Sequence, residues 1–276
     1  MFEISEILTL SRQINGTLNG KIIFEGSLGN SPHKFVWYNR SPEEFRELSA
    51  GKTIGPSYGR GRWLFIPLEP GFRLVLGECG GRVLFHPADA ALPSKYHLLL
   101  RFTDGSSLSV LTQMWGAMEL YANGDELGRQ YIRGMRPTPV EADFDEAYFN
   151  QLVDGLIPLE KRSLKALLTQ DQLIPGLGNA YAQDILFNAR LNPKRLIQDL
   201  DAPQRSQLFV AIRQTVAEIT HQGGRYDEVD LFNRPGGYVR LMDKNATKNP
   251  CPRCAGEVQK IQYLGGACYF CSACQV

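Results

Sequence analysis

The chain has 276 residues, of which 43% are hydrophobic and 21% are charged, and its formal net charge is +1. This composition is typical of a globular protein and excludes a disordered or fibrous chain. The small net charge excludes a strongly basic surface overall, although a local basic face is enough to bind nucleic acid. Apolar runs fall short of the roughly 20 residues that cross a bilayer. The N-terminus carries acidic residues where a signal peptide would have basic residues followed by an apolar run. We therefore expect a cytoplasmic protein, nucleoid-associated if it is bacterial.

The first half of the chain predicts one helix followed by a β-rich region. Apolar residues recur at helical spacing over residues 2–14. From about residue 20 to residue 121, short β-type runs alternate with Gly-, Pro- and Asn-rich turns, which is typical of an antiparallel sandwich or barrel. These runs are KIIFEG, KFVWY, RWLFIPL, RLVLGE, RVLFH, HLLLRFT and LSVLT.

The second half predicts helices. The segment GMRPTPVEADFD, which begins at Gly134, contains two prolines and is typical of a linker. Helical apolar spacing then recurs in EAYFNQLVDGL, EKRSLKALLTQ, AYAQDILFNARL and the segment 202–222. Residues 223–249 show no clear element.

Five of the six cysteines lie in the last 26 residues. The pairs Cys251-x2-Cys254 and Cys271-x2-Cys274 are separated by sixteen residues, and each pair can supply two thiolates to one ion. Four thiolates also suit an iron–sulfur cluster, but this gap is more typical of a tetrahedral structural Zn²⁺ site. Cys268 is expected to be a small buried residue, with a ligand exchange as the alternative. A closed four-cysteine site is not expected to catalyse a reaction.

A glycine-rich turn lies between two predicted helices, in QDQLIPGLGNAYAQDILF. Gly176 and Gly178 permit tight backbone turns, and Asn179 is placed to cap a helix predicted over Ala180–Arg190. Backbone N–H groups at such a helix start can bind a phosphate. An ordinary, well-capped helix connection is the alternative.

Several motifs resemble those of the formamidopyrimidine-DNA glycosylase/endonuclease VIII family. PGLGNAYAQDILFNARLNPKR resembles the helix–two-turn–helix motif, and MFEISEIL resembles the N-terminal Met-Pro-Glu-Leu-Pro-Glu. GRGRWLFI resembles the β-hairpin motif, LGECGG resembles the Leu-Gly-Met-Ser-Gly loop, and the cysteine spacing is that of the family's ribbon. The resemblance implies an α+β multidomain fold: an N-terminal helix plus an antiparallel β-sandwich, then a helical helix–two-turn–helix domain with a C-terminal four-cysteine zinc ribbon.

Four regions follow from these matches. We expect a β-sandwich domain over 1–134, a linker over 135–149, a helix–two-turn–helix domain over 150–240 and a zinc finger over 241–276. The resemblance implies double-stranded, damaged DNA as the partner, bound between two domains of a monomer.

The candidate catalytic residues lie at the N-terminus. Family members flip an oxidised base out of DNA and cleave its glycosidic bond, and many then nick the strand with an N-terminal proline as nucleophile. Glu3 and Glu6 are retained, whereas Phe2 stands in place of the proline. Met1 is expected to be retained before the bulky Phe2, which moves the terminal amine by roughly 3.5 Å of chain. Attack requires the amine nitrogen to lie within ~3–3.5 Å of the sugar C1′. Because the terminal amine is displaced, we expect weak or absent lyase activity.

The candidate phosphate-binding residues are partly retained. Gly178 and Asn179 lie in an intact PGLGN segment. The family's hairpin lysine is Arg62, which keeps the charge but changes the geometry. Lys161 and Arg162 lie near positions where the family has basic residues.

The residues that fill the space left by the flipped base differ more. Glu78 matches a methionine of the family, and Met114 and Trp115 match an arginine and a phenylalanine. The arginine of the family's ribbon falls on Gly266 or its neighbour Gly265. Trp115 is expected to contact DNA, with a core tryptophan of the sandwich as the alternative.

We therefore expect a base-excision-repair DNA glycosylase, monofunctional rather than bifunctional. Two alternatives stay open: a catalytically silent relative that binds DNA lesions, and a protein-interaction module that has lost DNA. The retained Glu3 and Asn179 favour the first two hypotheses, whereas the lost proline, methionine and ribbon arginine favour the silent relative over the enzyme. Acids in a first helical turn are also favoured by the helix dipole alone. The loop GGRYDEVDLFN, where the family reads the base, does not identify the substrate.

Overall fold

The computed structural model describes residues 1–30, 34–157 and 161–276. Within these ranges an N-terminal helix precedes antiparallel sheets, and helices and a C-terminal hairpin follow. The predicted fold class is confirmed. None of the helices in the described ranges has the length and apolar character that a membrane crossing needs.

The chain divides into two units. The first contains Met1–Met135 together with Gln222–Gly237, and the second contains Arg136–His221 together with Tyr238–Val276. The segment 222–237 thus packs with the β-rich part, whereas the sequence grouped it with the helices. The reason is a set of long-range polar contacts that no local pattern reports. The linker over 135–149 and the separate finger over 241–276 remain predictions.

Strands and three α-helices make up the first unit over its described residues. Its helices are α1 (Ile4–Thr17), α2 (Pro42–Ser49) and the single-turn α3 (Gln130–Arg133). Its strands are β1 (Ile23–Leu28), β2 (Val36–Tyr38), β3 (Thr53–Ile54), β4 (Tyr58–Arg60), β5 (Trp63–Glu69), β6 (Phe72–Gly77), β7 (Gly81–His86), β8 (Leu98–Phe102), β9 (Ser107–Thr112) and β10 (Gly116–Ala122).

These strands form a four-stranded sheet and a six-stranded sheet. The order is β1-β8-β9-β7 in the first and β2-β10-β6-β5-β3 in the second, with β4 paired to β5. All pairings are antiparallel except that of β2, an edge strand that runs parallel to β10. Apolar residues of both sheets and α1 form one buried cluster, which includes Ile14, Ile66 and Leu100. This core fixes the start of α1 relative to the sheets.

Helix α2 was absent from the predicted elements, although the sequence carries a signal for it. Ser41 and Glu44 form a reciprocal capping box, in which the Glu44 N–H donates to Ser41 Oγ at 3.2 Å and the Ser41 N–H donates to Glu44 Oε2 at 2.8 Å. Pro42 occupies the first turn, where its missing N–H costs nothing. The motif Ser-Pro-Glu-Glu therefore indicates a helix start.

The second unit has four α-helices and one hairpin in the part of it that the structure describes. They are α4 (Glu146–Leu156), α5 (Leu164–Thr169), α6 (Asn179–Asn188), α7 (Ala202–His221), β11 (Val258–Tyr263) and β12 (Gly266–Cys271). The Asp145 carboxylate caps α4 and the Ser163 hydroxyl caps α5, as such side chains do at helix starts. The predicted helical segments that became α4, α6 and α7 are confirmed. In the predicted EKRSLKALLTQ only Leu164–Thr169 is helical, and Glu160 lies outside the described residues. The predicted cap of α6 is wrong. Gly178 is its N-cap, and Asn179 is already the first helical residue.

A buried carboxylate attaches the segment after residue 237 to α6. Asp184 is fully buried and accepts hydrogen bonds from the Tyr238 hydroxyl at 2.9 Å and from the Leu241 and Met242 N–H groups at 2.9 and 2.8 Å. Burial raises the pKa of Asp184. A buried polar group needs such partners, so Asp184 specifies where this segment lies.

The four predicted zinc ligands lie together at the base of the β11–β12 hairpin. All four sulfur atoms of Cys251, Cys254, Cys271 and Cys274 lie within 4.8 Å of one another. The Cys251–Cys274 and Cys254–Cys271 sulfur pairs are 3.8 and 3.6 Å apart. A tetrahedron with Zn–S bonds of about 2.3 Å has edges of about 3.8 Å, so the residues fit a structural Zn²⁺ site. Cys268 is 1% exposed and lies outside this group, as a small buried residue whose thiol pKa is raised by burial.

The ribbon has a small apolar core of its own. Met242, Val258 and Tyr269 pack with Phe187 of α6 and with two of the ligand cysteines. So small a cluster buries little apolar surface, and a metal ion commonly supplies the missing stabilisation. A zinc ion held by Cys251, Cys254, Cys271 and Cys274 would supply this stabilisation and fix the hairpin beside α6.

Purified protein is expected to contain about one zinc ion per chain, as a single closed four-thiolate site binds one ion. The Cys271→Ala variant should lose the metal, because three thiolates leave the site open. The measurement is atomic absorption together with thermal unfolding before and after chelation.

Cys268→Ala is the matched control, since it changes a cysteine of the same strand that is not a ligand. It should retain zinc and respond to chelation like the unchanged protein. Loss of zinc in this control, with retention in Cys271→Ala, would contradict the ligand assignment.

Candidate active site

Two buried carboxylates organise the start of α1. Glu3 is the N-cap residue and Glu6 lies in the first turn, and each is only 4% exposed. They form a capping box, in which the Glu3 N–H donates to Glu6 Oε2 at 2.8 Å and the Glu3 side chain accepts from the Glu6 N–H. The N-terminal end of a helix stabilises negative charge, so the two acids are held as buried carboxylates at one point.

Glu6 also forms a buried ion pair with Arg225. Its Oε1 accepts hydrogen bonds from the Arg225 backbone N–H at 2.9 Å and from the guanidinium Nε at 3.2 Å. Arg225 is 4% exposed and donates further hydrogen bonds to the Met1 carbonyl at 2.9 Å and to Glu228 Oε1 at 3.3 Å. One guanidinium therefore connects the loop 222–237 to the first residues of the chain.

Two glycines make room for this contact. Gly223 and Gly224 have φ values of +77° and +108°, which side-chain-bearing residues rarely adopt. A Cβ on Gly224 would lie 3.3 Å from the Cγ and Oε1 atoms of Glu6. Arg225 and Glu228 were not among the site residues predicted from the sequence. The available signal was the Gly-Gly pair directly before an arginine.

The first two residues are held by different contacts. The Met1 amine lies 3.0 Å from Glu228 Oε1. The Phe2 N–H donates to the Cys79 carbonyl at 2.9 Å, and its side chain is 1% exposed within the apolar core. Phe2 therefore serves as a packing residue, and its nitrogen is an amide engaged in a hydrogen bond. Burial raises the pKa of the Cys79 thiol to about 12, so this cysteine stays protonated.

Arg62 and Glu78 form an ion pair beside Met1. Arg62 lies in the turn between β4 and β5, and its Nη1 is 3.1 Å from Glu78 Oε2 and 3.5 Å from Met1 Sδ. The side chains of Arg62 and Glu78 are 12% and 31% exposed. The structure thus brings the predicted residues Met1, Phe2, Glu3, Glu6 and Arg62 to one end of the first unit, with Glu78 against the arginine.

Met114 and Trp115 lie on the loop before β10. Their side chains are 61% and 41% exposed, so Trp115 is not a core residue. The buried tryptophan of the sandwich is Trp63 instead. The Gln113 N–H donates to the Gly80 carbonyl at 2.6 Å, and a Cβ on Gly80 would lie 2.4 Å from Met1 Cα. The loop that carries Trp115 is therefore next to the first residue.

In the second unit, the start of α6 lies against the tip of the hairpin. Asn179 Nδ2 donates to the Ala267 carbonyl at 3.2 Å, and a Cβ on Gly266 would lie 3.6 Å from Asn179 Oδ1. Gly265 has a φ of +74°, which explains a glycine at this turn. Asn179 and the two ribbon glycines thus lie close together, and Gly178, directly before Asn179, is buried.

The two predicted basic residues before α5 have different surroundings. Lys161 is exposed. Arg162 is 8% exposed and donates to Asp171 Oδ2 at 2.9 Å. A third cation, Lys165, was not among the predicted site residues. It is 1% exposed and donates to the Tyr263 carbonyl at 2.6 Å. Burial lowers the pKa of Lys165, and its contact joins α5 to strand β11.

Known proteins resemble the chain over its full length. Residues 1–113 match the formamidopyrimidine-DNA glycosylase N-terminal domain, and residues 135–227 match the formamidopyrimidine-DNA glycosylase H2TH domain. A formamidopyrimidine-DNA glycosylase of Lactobacillus delbrueckii subsp. bulgaricus is 30% identical over 288 residues, covering 100% of this chain and 99% of the relative. One from Bacillus licheniformis is 28% identical with the same coverage.

Solved structures show the same fold. The Lactococcus lactis Fpg in complex with abasic-site DNA superimposes with a TM-score of 0.86 at 24% identity, covering 99% of both chains. The same protein in complex with DNA containing N7-benzyl-Fapy-dG gives a TM-score of 0.85 at 25% identity. These structures show the fold, and the domain matches and the full-length relatives show that the chain belongs to the formamidopyrimidine-DNA glycosylase family.

Proposed function

We propose that this protein is a DNA glycosylase of base excision repair that hydrolyses the N-glycosidic bond of a modified base in double-stranded DNA. The observation that carries the proposal is the buried Glu3–Glu6 pair at the start of α1. Burying a carboxylate costs free energy that hydrogen bonds and charge partners must offset, so a buried pair of acids at one point is a candidate functional site. The full-length relatives are named as formamidopyrimidine-DNA glycosylases, which supports the same reaction class.

Glu3 is the proposed general base. Its carboxylate would take a proton from a water molecule while the water oxygen forms a bond to the sugar C1′ and the bond from C1′ to the base nitrogen breaks. The electron pair of the broken bond leaves with the base. A carboxylate has about four acceptor positions, so capping α1 and activating water are compatible tasks. Glu6 is proposed as a positioning residue, because it engages both the cap and Arg225.

Phosphate binding is proposed for residues of both units. Arg62 supplies a cation at the catalytic end, and the start of α6 supplies backbone N–H groups at Gly178 and Asn179. Lys161 is exposed and can add a salt-dependent phosphate contact. Arg162 is proposed to support this surface through Asp171.

We also propose that base release is monofunctional, without strand cleavage. An amine nucleophile needs a lone pair and must reach C1′. The nitrogen of Phe2 is an amide that donates to Cys79, and with Met1 retained, the amine of Met1 lies in an ion pair with Glu228. Both observations support hydrolysis by water over attack by an amine. Abasic strands should then remain intact until alkali is added.

Glu3→Gln is expected to lower the rate of base release by about 100-fold or more, the range for losing a general base. The measurement is single-turnover release from duplexes carrying oxidised purines or oxidised pyrimidines, with the free base quantified by mass spectrometry. The amide keeps the size of Glu3 but cannot take the proton.

Glu25→Gln is the control, because Glu25 lies on β1 of the four-stranded sheet and pairs with Arg101. It should release base at the unchanged rate. If the unchanged protein binds DNA but releases no base from any duplex, the enzyme proposal is wrong and a silent DNA-binding relative is favoured.

Arg62→Gln is expected to weaken duplex binding and to flatten the dependence of log Kd on log salt by about one unit, because one phosphate contact is lost. Glu78→Gln should act in the opposite direction, since it removes the carboxylate that neutralises Arg62. Fluorescence anisotropy at several salt concentrations measures both effects.

Arg101→Gln is the matched control, because Arg101 also pairs with a glutamate, at 3.2 Å, in the same unit. It should leave the salt dependence unchanged. Equal effects of Arg62→Gln and Arg101→Gln would mean that Arg62 has no specific phosphate contact.

A further inference from the structure

An exposed aromatic cluster lies beside the candidate active site. Trp37, Trp115 and Phe35 form it, and we call it the ring cluster. The Trp37 and Trp115 rings are stacked with centroids 5.4 Å apart and an interplanar angle of 10°. Phe35 lies 4.7 Å from Trp115 at 40°. Trp37 and Trp115 are 47% and 41% exposed.

Such exposure has a free-energy cost in an isolated protein. Aromatic rings gain more from burial than most side chains, and large apolar surface left in water commonly marks a binding site. The structure buries Trp63 at 1% exposure, so the same unit can enclose a tryptophan where packing requires it. We therefore expect the ring cluster to bind a ligand with a flat, apolar face.

The backbone holds the ring cluster in place. Trp37 lies in the edge strand β2, opposite Ala117 of β10. The Gly116 N–H donates to the Phe35 carbonyl at 3.1 Å, which ties the two ring-bearing segments together. The Thr112 hydroxyl lies within hydrogen-bond distance of the Trp115 and Gly80 carbonyls. The rings are thus fixed to the loop that borders Met1.

The position and charge of the ring cluster favour one class of occupant. The ammonium of Lys34 lies 4.8 Å from the centroid of the Phe35 ring, so a cation stands at the side of the rings. A flat ring stacked near a cation, on the border of a proposed DNA site, matches the way unpaired bases are bound. With centroids 5.4 Å apart, the two indoles leave no gap for a base between them, so a base would stack on the outer face of Trp37.

We propose that the outer face of Trp37, supported by Trp115, is a stacking site for an unpaired nucleobase of the bound DNA. The inference rests on the proposed function and extends it, because it adds a contact to a base outside the catalytic end. Stacking does not depend on the identity of the base, since every base has a π-face. The site should therefore favour DNA with an extrahelical or orphaned base over fully paired DNA.

The test compares two duplexes that differ by one unpaired 2-aminopurine, with the full chain carrying Trp37→Ala, Trp37→Phe or no change. We expect Trp37→Ala to weaken binding of the bulged duplex about tenfold, while binding of the paired duplex changes less than twofold. Stacking should quench 2-aminopurine fluorescence in the unchanged protein, and Trp37→Phe should restore most of both signals.

Phe24→Ala is the matched control, because Phe24 is an exposed aromatic residue of the same unit, 62% exposed on β1. It should bind both duplexes like the unchanged protein. If the unchanged protein binds both duplexes and Trp37→Ala binds the bulged one equally well, the inference is wrong and the proposed function stands. If the unchanged protein binds neither duplex, both fail. If Trp37→Ala changes only the sedimentation coefficient of the protein, Trp37 lies in a contact with a second copy of the chain. That result also overturns the inference.

Discussion

The buried ion pair between Glu6 and Arg225 is the interaction on which the catalytic end depends. It joins residues 219 positions apart in the sequence, and both side chains are almost completely enclosed. Removing one partner of such a pair leaves an uncompensated buried charge, which typically costs about 3–5 kcal/mol. The pair holds the loop 222–237 against α1, and the same guanidinium holds the carbonyl of Met1. The position of the proposed base Glu3 therefore depends on a loop that is remote in sequence.

Charge pairing extends over the rest of this end of the molecule. Arg62 contacts Glu78, and the Met1 amine contacts Glu228. Each cation near the proposed reaction centre thus has a carboxylate close by, in keeping with the small net charge of the whole chain. DNA phosphates would have to compete with these carboxylates for the cations. Glu78 should therefore lower the affinity of the protein for DNA. The packing of Phe2 in the core is the structural counterpart of the missing proline.

Local signals in the sequence predicted the elements and motifs well. Helices α4, α6 and α7 follow from apolar periodicity, and the zinc ligands follow from cysteine spacing, because both depend on residues close in sequence. The capping box at Ser41 could have revealed α2. The Gly-Gly pair before Arg225 indicates an unusual backbone there. The partners of Arg225 and of Trp37 could not be predicted from local patterns, since they are remote in sequence. The predicted cap of α6 was off by one residue. Gly178 is the N-cap in place of Asn179, because Gly178 adopts the extended conformation of an N-cap residue.

The central claim is that water, activated by Glu3, replaces an amine as the nucleophile. The most direct measurement is intact mass spectrometry of the protein after incubation with an abasic-site duplex and borohydride, beside a lyase that forms a Schiff base as positive control. We expect no covalent protein–DNA adduct, while the same protein releases a modified base from a lesion duplex. An adduct that maps to the N-terminal peptide would contradict it, because an amine would then reach C1′ despite Phe2.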